Sequence, residues 1–251
     1  MGIRRGSIST PIITDGLYFH LDANNKASYP KTDDKVYNTI SPISGSFIND
    51  ASVDYSTGQG IFNFDGVEDA IYLEGTNNPD SWLIPSNSTD PFSVSVWFNT
   101  KKANLKQYII VSAQGGGSNW AIHINTSQIK FRLRQENTTV TTNSYAKLSS
   151  STYLSNDTWY NVVGVFTGSE AKLYLNGVEV DTPIPCNFFK KTNVMDGVIG
   201  TYWFQGKPNQ QHFKGQIGPV SFYRSKFLTS YEILHNYNAL KGRFGLWNLD
   251  Q

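Results

Sequence analysis

Apolar residues occupy every second position through Phe92-Ser-Val-Ser-Val-Trp-Phe-Asn99, which puts Phe92, Val94, Val96 and Phe98 on one side of an extended chain. Residues 16–22 repeat the alternation, with Leu17, Phe19 and Leu21 set against Tyr18, His20 and Asp22. Shorter runs of the same kind predict strands at 47–48, 61–64, 70–73, 108–112, 120–125, 128–134, 159–166, 172–175, 178–181, 198–201 and 216–223. Asn176-Gly177 lies between two alternating runs and predicts a two-residue hairpin, because both residues tolerate the positive φ of a type I′ turn. Short strands, turn signals throughout and no helical periods between them predict an antiparallel sandwich rather than a parallel α/β sheet.

The period changes once, near the end. Thr229-Ser-Tyr-Glu232 is a capping box, in which hydroxyl and carboxylate each satisfy the other residue's backbone amide. Ile233, Leu234 and Tyr237 follow at helical spacing and Gly242 supplies a stop, so one short helix is expected near 229–240. Residues 1–13 read as an arm, 14–242 as one domain and 243–251 as an apolar tail. Arg4 and Arg5 in the arm, with Phe244, Leu246 and Trp247 in the tail, are the expected interface residues, since such a tail must pack on its own domain or on a partner.

Composition sharpens this picture in a few places. The chain has 251 residues, 14% aromatic and only 16% charged, which suits a single β-rich domain. A net charge of +1 offers no overall field for nucleic acid or anionic lipid. The one local basic run, Lys130, Arg132 and Arg134, alternates with Ile129, Phe131 and Leu133 and reads as the solvated face of a strand. Cys186 is the single cysteine, so no intramolecular disulfide exists. The first residues lack the apolar core of a signal peptide and no run reaches membrane-spanning length, so a soluble protein made in a cytoplasm is expected. The N-x-Ser/Thr triplets at Asn87, Asn125, Asn137 and Asn156 then read as chance in a chain rich in these residues.

Several strings, in order, resemble the laminin-G-like, concanavalin A-like lectin/glucanase jelly rolls. They are Gly16-Leu-Tyr-Phe-His-Leu-Asp-Ala23, Phe64-Asp-Gly-Val-Glu-Asp69, Phe92-Ser-Val-Ser-Val-Trp-Phe98, the Trp159-Tyr160 strand with its Leu173-Tyr-Leu-Asn-Gly177 hairpin, and Phe213-Lys-Gly-Gln-Ile-Gly-Pro-Val-Ser-Phe-Tyr223. The closing string, from Leu228-Thr-Ser-Tyr-Glu-Ile-Leu to Gly245, is similar to versions in virion proteins of tailed bacteriophages. The resemblance implies an all-β, two-sheet antiparallel jelly-roll sandwich with one short C-terminal helix. Such a fold hosts lectins, hydrolases and inert decoration modules alike, so it does not choose among them.

Candidate chemistry narrows the choice. Glycoside hydrolysis uses two carboxylates about 5–9 Å apart. The resemblance implies a Glu-x-Asp-x-x-Glu strand for that purpose, whereas Glu68-Asp69 with Glu74 puts adjacent acids on opposite faces. No nucleophile elbow, zinc-protease helix or phosphate loop occurs, and His20, His123, His212 and His235 are scattered, so no catalysis is expected. Asp65, Glu68 and Asp69 beside Gly66 supply oxygens suited to calcium, or simply form a turn with solvated acids. For glycan contact, which calls for aromatic platforms beside amides, the candidates are Tyr202, Trp203, Gln205 and Asn209 in one loop and Trp120 in another. The alternative for the tryptophans is a structural role at the sandwich edge.

These readings converge on an expectation: a non-enzymatic phage virion protein, a capsid decoration or head/tail fibre component, displaying a lectin-like jelly roll. It would dock on other virion proteins or on itself through arm and tail, and present loops to host surface glycans or other surfaces. It would bind no nucleic acid and enter no membrane. A free carbohydrate-binding lectin is the rival reading, with a glycoside hydrolase behind it.

Overall fold

The computed structural model describes residues 11–31, 34–40, 44–56, 59–73, 85, 87–114, 117–135, 144–188, 196–204, 207–208 and 211–246. Its strands are β1 (Leu17–Leu21), β2 (Lys35–Tyr37), β3 (Ser44–Ile48), β4 (Ser52–Asp54), β5 (Ile61–Asp65), β6 (Ala70–Leu73) and β7 (Phe92–Thr100). There follow β8 (Gln107–Gln114), β9 (Gly117–Asn125), β10 (Gln128–Gln135), β11 (Ser144–Tyr153), β12 (Trp159–Phe166), β13 (Glu170–Leu175) and β14 (Val178–Glu179). The last are β15 (Ile184–Pro185), β16 (Asp196–Ile199), β17 (Trp203–Phe204), β18 (Lys207–Pro208) and β19 (Lys214–Arg224), before α1 (Ser230–Leu240) and a 3₁₀ turn, Lys241–Phe244.

They form two antiparallel sheets packed face to face, the expected jelly-roll sandwich with a single short C-terminal helix. The first runs β14-β13-β12-β7-β19-β5-β4, with β1 beside β19 and β15 beside β13. The second runs β11-β10-β9-β8-β16-β6-β3-β2. Long β19 serves two partners along one edge, β5 through Lys214–Ile217 and β1 through Val220–Tyr223, while β7 lines the other. Its register slips between Ile217 and Val220, where Pro219 has no amide to give the ladder.

Period-2 alternation fills the space between the sheets. Phe92, Val94, Val96 and Phe98 point inward from β7 as expected, and Trp120, Ile122 and Ile124 from β9, with Ile129, Phe131 and Leu133 from β10, meet them. The centre is aromatic: Phe92 lies 5.6 Å from Phe222 and 6.1 Å from Trp120, and Trp120 stacks on Phe222 at 5.9 Å. Trp120 is fully buried here, which corrects its assignment as a glycan platform. The alternation that drives Ile122 inward carries Trp120 to the same side, and the core uses its whole ring.

Sequence reading passed over β11, whose Ser-Tyr-Ala-Lys-Leu-Ser-Ser-Ser-Thr-Tyr string offers little apolar signal. It is the edge strand of the second sheet, and only Ala146 and Leu148 join the main core from it. The hairpin was legible: Asn176 has φ 51° and Gly177 φ 83°, as a type I′ turn requires. The Asn176 side chain also accepts a hydrogen bond from the Asn161 amide at 2.9 Å.

The first sheet is covered on its outer side as well. Trp97 projects there and stacks on Tyr237 of α1 at 5.6 Å and on Phe244 at 4.4 Å, and Trp159 meets Phe244 at 4.4 Å. Phe244 is only 8% exposed, and Leu246 packs on the same cluster. Both therefore belong to their own domain, a correction to their assignment as outward interface residues. Two tryptophans on one sheet face need an apolar cover, and the tail provides it. Arg243 fixes the tail further, pairing with Asp22 at 2.7 Å and donating to the Gly60 carbonyl at 2.9 Å.

The capping box holds α1 as expected. The Thr229 hydroxyl accepts from the Glu232 amide at 3.3 Å, and the Thr229 amide donates to the Glu232 carboxylate at 2.9 Å. The left-handed stop, however, is Gly245 at φ 72°, not Gly242, because the helix tightens into the 3₁₀ turn that delivers Phe244 to Trp97. Residues 11–13, assigned to the arm, also join the domain: Ile13 donates to Asn236 and accepts from the Tyr223 hydroxyl, both at 2.8 Å. Arg4, Arg5 and Trp247 lie outside the described residues.

Candidate functional site

The outer face of the second sheet is built differently. Tyr108 from β8, Ala121 from β9, Val198 from β16 and Ala70 from β6 make a small apolar floor there, with Tyr72, Ile48 and Tyr202 packed against it. Lys130 and Arg132 of β10 come to this face because Ile129, Phe131 and Leu133 are taken inward. The expected strand face is therefore present, but it is half-buried rather than simply solvated.

Arg132 is its centre. The guanidinium carbon sits 5.2 Å from the Tyr108 ring, 5.0 Å from that of Tyr145 and 5.6 Å from that of Tyr202, within cation–π range of all three. Lys106 lies 5.6 Å over the Tyr108 ring, and His123 stacks on that ring at 5.1 Å. Sheet register places Arg132 opposite Ala121 on β9 and opposite Lys147 on β11, while Lys130 faces His123 and Ser149. Like charges directly across a ladder repel. Among the described residues no carboxylate pairs with Lys106, Lys130, Arg132 or Lys147. Asp181, which reaches β11, is committed to the amides of Ser149 and Thr182 at 2.8 and 2.9 Å.

The electrostatics report the same imbalance. His123 has its pKa driven down to about 3, first by burial and then by the charges of Arg132, Lys106, Lys130 and Lys147. Its Nδ1 and the Nε of Arg132 are buried with no hydrogen-bond partner among the described residues. Burial pushes the phenols of Tyr108 and Tyr202 upward against the pull of Arg132, and lowers the Lys106 ammonium with help from the same charge. A face of phenol rings and uncompensated cations can stack on an apolar surface and neutralise an anion at once.

The sequence candidates divide sharply. Tyr202 is part of this face, tilted against Tyr108 at 4.8 Å. The loop that carries it folds back as the β17–β18 hairpin. The side chain of Trp203, and Gln205 and Asn209 altogether, lie outside the described residues. Tyr108, His123, Tyr145 and Arg132 were not singled out as ligands. The one available signal was the basic alternation of β10, and its aromatic partners come from three other stretches of chain.

Asp65, Glu68 and Asp69 do not assemble as a calcium site. Among the described residues no group of three or more His, Cys, Asp or Glu side chains is placed to hold a metal ion. The Asp65 carboxylate instead accepts from the Val67 amide at 2.7 Å and the Glu68 amide at 3.4 Å, and Asp69 accepts from the Asp65 amide at 2.8 Å. Two of the three acids are thus spent on the turn itself. Burial works against ionising Asp65, but the turn amides outweigh it and lower its pKa, whereas burial raises that of Asp69. These donors do not fit a hard cation that takes 6–8 oxygens.

Comparison with known proteins fits this architecture. Residues 53–234 match the family described as the concanavalin A-like lectin/glucanases superfamily, and the chain belongs to it. No curated protein matches the chain. Among solved structures, it is similar to the binding domain of botulinum neurotoxin DC in complex with rat synaptotagmin II, at 16% identity and a TM-score of 0.66, over 91% of this chain and 52% of that one. The binding domain of Paraclostridial Mosquitocidal Protein 1 gives 14% identity and a TM-score of 0.65, over 89% and 52%. The receptor binding domain of botulinum neurotoxin mosaic serotype C/D gives 18% and 0.62, over 88% and 50%. The chain thus spans about half the length of these structures, and identities this low establish a shared fold alone.

Proposed function

We propose that this chain is a non-enzymatic, lectin-like recognition domain that contacts surface glycans through the outer face of its second sheet. The observation that carries this is Arg132 set between the half-buried rings of Tyr145 and Tyr202, over the enclosed ring of Tyr108, on a sheet face that α1 and the described part of the tail do not cover. A saccharide offers apolar C–H faces ringed by polar groups, and phenol rings beside a fork of donors match that surface. The non-enzymatic part has support from the chemistry of the face, which presents cations and phenols where glycoside hydrolysis uses a carboxylate pair. Structures similar in fold include receptor-binding domains of toxins, which fits a recognition role.

We place this domain on a tailed-bacteriophage particle, as a capsid decoration or head/tail fibre component made in the host cytoplasm. The support is the closing string from Leu228 to Gly245, with its similarity to virion proteins. Inward use of Phe244 and Leu246 favours a second reading, a free carbohydrate-binding lectin, because those residues no longer serve for docking. Co-sedimentation of the purified chain with assembled particles supports the virion reading, and a monomer that ignores particles overturns it. Saccharide binding that survives Tyr145→Ala unchanged overturns the proposed face. Release of reducing sugar from a polysaccharide panel overturns the non-enzymatic claim.

A further inference from the structure

We propose that the face around Arg132 selects acidic saccharides, those bearing carboxylate or sulfate groups, over neutral ones. This rests on the lectin-like reading above and specifies its ligand class.

Register is the first support. Arg132 and Lys147 stand directly opposite each other on neighbouring strands, an arrangement that destabilises the sheet unless an anion lies between or above them. Lys130 and Lys106 add charge from two further positions on the same face, Lys106 reaching it over Tyr108. Four cations without a carboxylate among the described residues form a local field that the net charge of +1 conceals.

Burial is the second. The Arg132 Nε is enclosed without a partner among the described residues, so the side chain is positioned by ring packing rather than by an acid. The phenols of Tyr108 and Tyr202 also engage this side chain by hydrogen bonding, and those donors of its five-donor fork that they do not use can meet a planar oxyanion. His123 is also more than nine-tenths buried, and its Nδ1 is likewise unpartnered. The third support is the surrounding rings. Tyr145 and Tyr202 flank the charge at 5.0 and 5.6 Å, close enough for one sugar ring to stack while its acid group meets Arg132. A bare polyanion would use the charge but not the rings, so the combination favours a saccharide.

The test titrates the full chain with polygalacturonate, dextran sulfate, neutral dextran and polyglutamate, using calorimetry at low and moderate salt. Either acidic polysaccharide should bind at least ten-fold tighter than dextran and than polyglutamate, and should weaken as salt rises. Arg132→Ala and Tyr145→Ala should each lose ten-fold or more, with melting midpoints recorded to confirm folding. If Arg132→Ala fails to fold, exposed Lys147→Glu supplies the same readout. Equal binding of dextran with retained sensitivity to Tyr145→Ala leaves the lectin reading intact and overturns acid selection. Equal binding of polyglutamate makes the face a mere charge patch and overturns the saccharide requirement. Failure of all four probes overturns this inference and counts against the lectin reading as well.

Discussion

On the outer face of the first sheet, Trp97 and Trp159 lie beneath Phe244, Tyr237 and the C-terminal helix. On the outer face of the second, Arg132 lies among Tyr108, Tyr145 and Tyr202 with cations as its polar neighbours. Both faces are rich in aromatic residues, yet among the described residues only the first is closed by helix and tail. β7 is accordingly buried almost throughout, whereas β10 alternates between buried and half-buried positions. The comparison teaches that aromatic content alone does not mark a binding face. What distinguishes the second sheet is the uncompensated charge set among its rings, a feature that costs stability and therefore needs a reason.

The contrast breaks most readily at the covered face. Trp97→Ala removes a fully enclosed ring stacked on two others and should cost about 3–5 kcal/mol in chemical denaturation while leaving saccharide binding intact in the folded fraction. A loss under 1 kcal/mol would mean that tail and helix are not a real second core.

Acid should act on the other face as well. The ordinary pKa of a histidine is 6.5 and that of folded His123 is about 3, so between these values the unfolded chain holds a proton that the folded chain rejects. Stability is then greatest above pH 6.5 and falls as pH drops, by about 3 kcal/mol on reaching pH 4 from this group. His20 and His212 are lowered too, also chiefly by burial, and act with the same sign. His123→Phe should flatten the decline measured by urea melts at stepped pH. An unchanged slope would remove the buried, positively surrounded imidazole from the account.

The turn that seats the helix gives a smaller effect. Gly177 has φ 83°, and a Cβ there would lie 3.0 Å from the Leu234 methyl of α1. Gly177→Val should destabilise by about 1–3 kcal/mol, since a β-branched residue is strained at positive φ. A melting midpoint equal to wild type would show that the turn adopts another form. Smallest of all is the stability change for Arg132→Met, expected within about 1 kcal/mol because lost cation–π contacts are offset by relief from Lys147 and Lys130. A large loss would recast Arg132 as a structural keystone.

Much of the first face was legible because its signals are local. The alternation at Phe92–Phe98, the Asn176-Gly177 turn and the Thr229–Glu232 capping box each declare themselves within a few residues. The tail was half legible: its apolar content demanded a partner, but only the presence of Trp97 and Trp159 on one surface decided that the partner was its own domain. The second face was the hardest to read. Lys130 and Arg132 looked like solvated strand residues, and the rings that enclose Arg132 arrive from β8, β11 and the segment before β17. Trp120 was misread for a related reason, since the direction of a side chain depends on which neighbours β9 finds. Asp65 and Asp69 show the same lesson in a turn, where backbone amides claim oxygens that looked available to a cation.

One measurement tests the central claim most directly: polygalacturonate binding by Arg132→Ala set beside Tyr231→Ala, which removes a 75% exposed ring from the helix over the first sheet. The account predicts at least a ten-fold loss for Arg132→Ala and wild-type affinity for Tyr231→Ala. Wild-type affinity in Arg132→Ala with loss in Tyr231→Ala would place recognition on the covered side and contradict it.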